Sequence, residues 1–357
     1  MIKQKRIEHL DSLRGLAALA VVFGHSISSV KCNQNREFII SVTSHSAVIF
    51  FFLLSGFVLS RSVDGKVALS KMGIISYIIR RILRLYPMTV IAILFGALVA
   101  LILKVPPDLG FLSDWLWKQI IHAKSVKDFT GYIKELLMQL QFLNPPLWTI
   151  RAEFQCSVAL PFLILMGCKK MYRQIILCVC LGLYLVIDNG CHKSSFLFAF
   201  YLGHLIHSYH HIVEFINSNI SKLLIGLFSL IWMVVASNWF LDTIILFFIL
   251  SLLVPCRWIG LKKLLNIHPL RFLGKISFSF YALHMPVLFL VCIFLEKNIY
   301  KFFIKNSIFS LELVVFVVTV SITLPIAVLT HSLIESPFNK WGHLLSNEFI
   351  SKYNKLN

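Results

Sequence analysis

Ten uninterrupted apolar runs, each long enough to cross a hydrocarbon layer of about 30 Å, constrain this chain more than any other feature. They fall at approximately 12–31, 39–60, 86–103, 147–167, 173–189, 194–212, 221–239, 240–256, 274–295 and 311–334. Runs this continuous exclude a porin-type barrel, whose strands alternate apolar and polar residues. Of the 357 residues 14% are charged and 58% hydrophobic, with a mean hydropathy of +0.80. A soluble domain carries about 25% charged residues, so this chain has too little polar surface to face water on all sides. The expected fold class is all-α: a polytopic membrane helix bundle of about ten spans, forming a single integral-membrane domain over residues 1–357.

The formal charge of +18 is explained by where the cations sit. With the N-terminus in the cytoplasm, 21 Lys and Arg fall on inner segments and 11 on outer ones, with Arg14 and Arg151 left inside spans. Cytoplasmic loops carry such an excess, so both termini are expected inside, with 339–357 as a cytoplasmic tail. No nucleic acid is needed to account for the basic balance. The basic first ten residues precede an apolar run that lacks a small-residue cleavage site, which reads as a retained span. The one long connection, Lys104 to Pro146, contains Asp114–Trp115–Leu116–Trp117–Lys118, whose Trp and Lys suit a helix lying at the interface. The eight cysteines form no C-x-x-C pair and read as buried small residues. Only Cys32 and Cys191 lie where an oxidising compartment reaches them, which leaves one disulfide open.

Ionisable residues inside spans are costly and mark functional candidates. Arg14 and His25 are eleven residues apart in the first run, which is three helical turns plus about 20°, so both share one face roughly 16 Å apart along the axis. Asp11, three before Arg14, shares that face and can pair with it. Two readings stand side by side: a snorkelling Arg with a satisfied core His, or a stripe carrying a cation at the inner end and an imidazole deeper in.

Arg14–Gly15 followed by His25 resembles the R-x10-H signature of the membrane-bound acyltransferase-3 family. The similarity continues in order: Phe51–Phe57 with F-F-x-L-S-G-F, Arg80–Pro87 with R-R-x-x-R-x-x-P, and Pro146–Glu153 with P-x-W-S-L-x-x-E, Thr149 standing for Ser. Ile276–Pro286 is similar to I-S-Y-x-x-Y-x-x-H-x-P, with Phe278 for the first Tyr, and Ile334–Phe338 to I-E-x-P-F. Ile49 departs from the acidic residue or Pro common before the Phe run. The signature segments run from 11 to 338.

The resemblance implies an O-acyltransferase of the bacterial inner membrane. It would move an acyl group, most often acetyl, from cytoplasmic acetyl-CoA as co-substrate to a hydroxyl of a surface polysaccharide or its lipid-linked precursor. Some relatives finish the transfer with a second, esterase-like domain, so this chain would work alone or with a separate esterase-like partner. Guanidinium forks suit CoA phosphates, which makes Arg80, Arg81, Arg84 and Arg14 the donor candidates; Arg80 and Arg84 share a face. Ser55–Gly56 offers a close backbone approach to the donor, or alternatively helix packing. His25 is the general-base candidate, with Glu153 at comparable depth to orient it and Glu335 as ion partner of Arg14. Trp148, Tyr281 and His284 are candidates for lining the acceptor cavity. His204, His207 and His211 share a face near the inner end of the sixth run, with His210 pointing elsewhere. They lack a carboxylate at ligand spacing, so no metal is expected. The alternative from another class is a secondary transporter or flippase for an anionic solute; it predicts matched, Gly/Pro-interrupted half-chain repeats, and the sequence has none.

Overall fold

The computed structural model describes residues 7–31, 44–63, 69–103, 110–167, 170–187, 192–216, 218–235, 238–298 and 311–356. Cys32, Cys168 and Cys191, and with them the open disulfide, lie outside these residues. Among the described residues the chain is helical throughout, and the only strand-like feature is one isolated antiparallel bridge, Val30 to Leu112. The helices are α1 (Glu8–Ser28), α2 (Ser46–Val63), α3 (Lys71–Ile102), α4 (Asp114–Ser125), α5 (Phe129–Leu136), α6 (Leu147–Gly167) and α7 (Met171–Ile187). There follow α8 (His192–Val213), α9 (Ser218–Val235), α10 (Trp239–Leu253), α11 (Ile259–Leu265), α12 (His268–Asn298) and α13 (Leu311–Thr330). A π-helical turn, His331–Glu335, then leads into α14 (Ser336–Leu356).

The described part of each of the ten expected runs lies largely on a helix, but the count of ten spans is not reproduced by length and composition. Among the described residues, six stretches are long and apolar enough to cross: α1, α2, α3, α6, α12 and the continuous Leu311–Ser351. The helices α7, α9 and α10 are apolar but shorter, and α8 is interrupted by its histidines. Two boundaries also move. The third helix starts at Lys71 instead of 86, where Ser70 caps it by accepting a hydrogen bond from the Gly73 amide, so three arginines are carried up into the bundle. The expected tail segment is helical as far as Leu356: α14 packs along α3, with Gly342 against Leu83 and Arg80 and the Ser346 hydroxyl on that of Ser76.

Two glycine crossings set the frame. A Cβ on Gly56 would lie 2.0 Å from the Phe200 carbonyl oxygen, and one on Gly203 2.0 Å from that of Leu53. Helices α2 and α8 therefore touch backbone to backbone, as small residues allow in lipid. Gly15 and Gly274 do the same for α1 and α12, the latter against the Asp11 carbonyl. Buried polar ties fix the remaining pieces. His9 Nε2 reaches the carbonyls of Leu253 (3.1 Å) and Val254 (3.2 Å), tying α1 to the end of α10. Asp242 accepts from the Ser46 hydroxyl (2.7 Å) and the Trp232 indole (2.8 Å), joining α2, α9 and α10. The Ser113 amide donates to the Ser29 carbonyl (2.9 Å), and the Ser113 hydroxyl caps α4. This docks the expected interfacial helix, observed over Asp114–Ser125, against the end of α1.

Candidate active site

Two polar centres lie along α1, one at each end of the predicted stripe. At the far end, His25 Nδ1 is 2.9 Å from His284 Nε2, and the two rings stack with centroids 5.1 Å apart. Trp115, positioned by the docking of α4, tilts over His25 at 5.6 Å. His284 Nδ1 lies 2.5 Å from the carbonyl oxygen of Tyr281, one turn earlier on α12. A carbonyl can only accept, so His284 carries its proton on Nδ1 and a neutral His284 presents a bare Nε2. His25 must then donate from Nδ1, which leaves the lone pair on His25 Nε2. The Tyr281 carbonyl thereby sets the proton position two residues away along the chain of hydrogen bonds.

At the other end, Arg81 is 4% exposed and donates to Glu153 at 2.7 Å; Glu153 is 23% exposed and also accepts from the Ser55 hydroxyl at 3.4 Å. Arg84 lies in electrostatic range of Arg14, Arg81, Glu153 and Glu335. Three guanidinium groups thus face two carboxylates, leaving an excess positive charge suited to an anion. A narrow cavity of about 40 Å³ is lined by Arg14, Ser55, Thr149, Glu153, Ser277 and Tyr281, with Phe51, Phe52 and Phe278 among its apolar walls. That is room for one or two waters, or for the small end of a longer molecule.

Tyr281 is the side chain common to both centres. It lines the cavity, its hydroxyl meets Thr149 at 2.9 Å, and its ring is 5.4 Å from that of His284. His25 is not among the cavity-lining residues.

Several expected contacts are corrected. Glu153 does not orient His25: it sits about 9 Å into α6 by helical rise, at the depth of Arg81. His284 takes the place beside the imidazole and is not a cavity wall. Glu335 does not pair with Arg14; its Oε2 accepts from the Ser279 hydroxyl (2.6 Å) and is 2.9 Å from His331 Nδ1, on the π-helical turn. Gly56 faces the α8 backbone, as the helix-packing alternative has it. The Cα of Arg80 lies beside Gly342 of α14, and it is Arg81 that pairs directly with Glu153. Asp11 is placed half-buried near Gly274, where α1 crosses α12. Trp148 is 36% exposed and packs on Phe196, with centroids 5.1 Å apart. His210 does not point away: it lines a second cavity with His204 and His207. Among the described residues no group of three metal-ligating side chains is found. Sequence reasoning missed Trp115 and His331 as neighbours of these centres; Trp115 was legible as an interfacial residue only.

The family described as an acyltransferase domain matches residues 7–331. Among curated proteins, one from Staphylococcus aureus strain COL, named as a putative O-acetyltransferase, is 23% identical over an alignment 388 positions long, gaps included. A protein of the same name from strain MSSA476 is also 23% identical. These alignments cover 95% of this chain and 58% of the relatives, so the chain spans little more than half the length of the proteins it resembles. No solved structure matches.

Proposed function

The chain belongs to this acyltransferase domain family, and from that premise we propose that it transfers an acetyl group from acyl-CoA to a hydroxyl of a surface glycan or its lipid-linked precursor. The observation that carries this reading is the pairing of two unlike centres on one helix, an arginine–carboxylate cluster around a cavity and an imidazole with a defined free lone pair, meeting at Tyr281. The setting we propose is the bacterial inner membrane, with the arginine end cytoplasmic, as the cation distribution favours.

In this reading Arg14, Arg81 and Arg84 attract the donor's phosphates, and the cavity admits only the acyl-thioester end. Glu153 holds Arg81 in place and offsets part of the buried positive charge. His25 Nε2 takes the proton of the acceptor hydroxyl as its oxygen attacks the thioester carbonyl. The new C–O bond forms, the C–S bond breaks, and the proton held by His25 passes to the departing thiolate. His284 acts through His25: it fixes the tautomer and steadies the imidazolium formed during transfer, the role a carboxylate has in a hydrolytic triad. Trp148 and Trp115, near the end of the bundle where α1 finishes and α6 begins, offer flat apolar faces to a sugar ring.

Mass spectrometry of the surface glycan in strains carrying the parent chain, His25→Ala or Arg14→Ala tests the reading. Loss of acetyl in both variants at unchanged protein level is the expected result. Full acetylation in His25→Ala overturns it, and saturable binding of an anionic solute without thiol release favours a transporter.

A further inference from the structure

A second cavity, of about 270 Å³, lies where α2, α6 and α8 finish and α7 begins. It is lined by Ser60, Gln174, His204, His207, Ser208, Tyr209 and His210, with Val63, Leu69 and Ile164 as its apolar wall. Ser60, Gln174 and His204 are buried and form the floor; His207 to His210 are half-buried and form the rim. This size is just below the range of about 300–1,000 Å³ typical of small-molecule sites, and larger than the cavity at Arg14.

The polar groups at the floor are specific in what they ask for. Gln174 is 5% exposed, and its Oε1 has no hydrogen-bond partner. The Ser60 hydroxyl donates to the Gly56 carbonyl at 2.7 Å, so its one proton is committed and it accepts from His204 Nδ1 at 3.0 Å. His204 Nε2 is then an acceptor, reached by the Ser208 hydroxyl at a long 3.4 Å. His210 gives its Nδ1 proton to the His207 carbonyl at 2.8 Å. The floor therefore offers acceptors, while the rim adds hydroxyls that both give and accept. Among the described residues no Lys, Arg, Asp or Glu lines the cavity. Against that lining an anion would meet an amide oxygen and an imidazole lone pair, a cation would find no carboxylate among the described residues, and an apolar guest would leave Gln174 unsatisfied.

We propose that this cavity is a second binding site, for a neutral polyhydroxylated ligand of monosaccharide size, either a free sugar or the sugar headgroup of a lipid. Its hydroxyls donate to Gln174 Oε1 and, in place of the long Ser208 contact, to His204 Nε2, which releases the Ser208 proton for the ligand; they also accept from Tyr209. The site stands apart from the His25 centre, near the opposite end of the bundle, and the inference does not depend on acyl transfer.

The test uses the full chain in phosphatidylcholine nanodiscs, with methyl α-glucoside followed by saturation-transfer NMR. A saturable signal is expected, weakened roughly tenfold in Gln174→Leu and in His204→Phe, as for the loss of one buried hydrogen bond. It is expected unchanged in His25→Ala. Because substitutions at the floor can impair folding, Tyr209→Phe at the half-buried rim supplies an independent variant, also expected to weaken binding. Adding a monoglucosyl lipid to the nanodiscs separates the two sources: competition assigns the lipid headgroup, its absence the free sugar. Equal signals in the parent and all three variants overturn the proposal. So does tighter binding of glucose 6-phosphate than of the neutral sugar, or the absence of any saturable signal, which would leave a cavity filled by water alone.

Discussion

Replacing His284 with Phe removes the acceptor for the His25 Nδ1 proton while nearly keeping ring volume. In the resting site this hydrogen bond joins two neutral imidazoles at 2.9 Å, a contribution of about 1 kcal/mol. In the proposed reaction His25 takes the acceptor's proton, and the bond then becomes charge-assisted; such bonds contribute about 1.5–3 kcal/mol. The difference, about 0.5–2 kcal/mol, is stabilisation present only as the reaction proceeds, so kcat falls about 2–30-fold. The assay is thiol release from acetyl-CoA in the presence of acceptor. The KM for the donor is expected to stay unchanged, because the arginine cluster is untouched. His284→Gln, whose side-chain carbonyl can still accept from His25, is expected to recover part of the loss. A His284→Phe protein that is folded and keeps kcat within about twofold would refute the proton assignment. A rise in KM alone would make His284 a substrate contact instead.

Three further outcomes follow from the packing. Glu153→Gln leaves Arg81 buried without its charge partner, and thermal unfolding should show a loss near the lower end of about 3–5 kcal/mol, since Glu153 is partly exposed; the double change to Arg81→Met and Glu153→Leu should recover most of it. Gly203→Ala places a Cβ 2.0 Å from the Leu53 carbonyl oxygen, so α2 and α8 must separate, at a cost of about 1–3 kcal/mol or more and with a reduced yield of folded protein on gel filtration. Glu135, on α5, is buried, accepts from the Phe142 and Leu143 amides through Oε1, and leaves Oε2 unpartnered. Burial pushes its carboxyl above the ordinary carboxylate range, against those two amides. The folded state therefore binds the proton more tightly than the unfolded chain, and stability falls as pH rises from about 4.3 through the raised value. In Glu135→Gln that loss should be absent and the melting temperature at neutral pH higher; parallel melting curves against pH for the two proteins would overturn the assignment.

The stripe on α1 was legible because helical geometry alone sets which residues eleven apart share a face, and the sequence run is long enough to be helical. The partners were not, because they depend on depth, and depth depends on where each helix begins. Glu153 was expected beside His25 from counting residues inward from the outer boundary. In the structure α1 ends at Ser28, so His25 is about 4.5 Å from its helix end, whereas Glu153 is about 9 Å into α6. The arginines were expected at the boundary because apolarity starts at 86; the polar first turns from Lys71 are helical too, and ten residues of rise carry Arg81 about 15 Å into the bundle. His284 was found by motif but given the wrong neighbour, since a contact across 259 positions rests on the crossing of α1 with α12. That crossing is itself written in the sequence as Gly15 and Gly274, yet two glycines among 16 identify a close approach only after the helices are seen to meet. The consequence for the chemistry is specific: the carboxylate available in the sequence went to neutralise an arginine, and a second histidine, oriented by a backbone carbonyl that no side-chain pattern reveals, was left to set the protonation of the first.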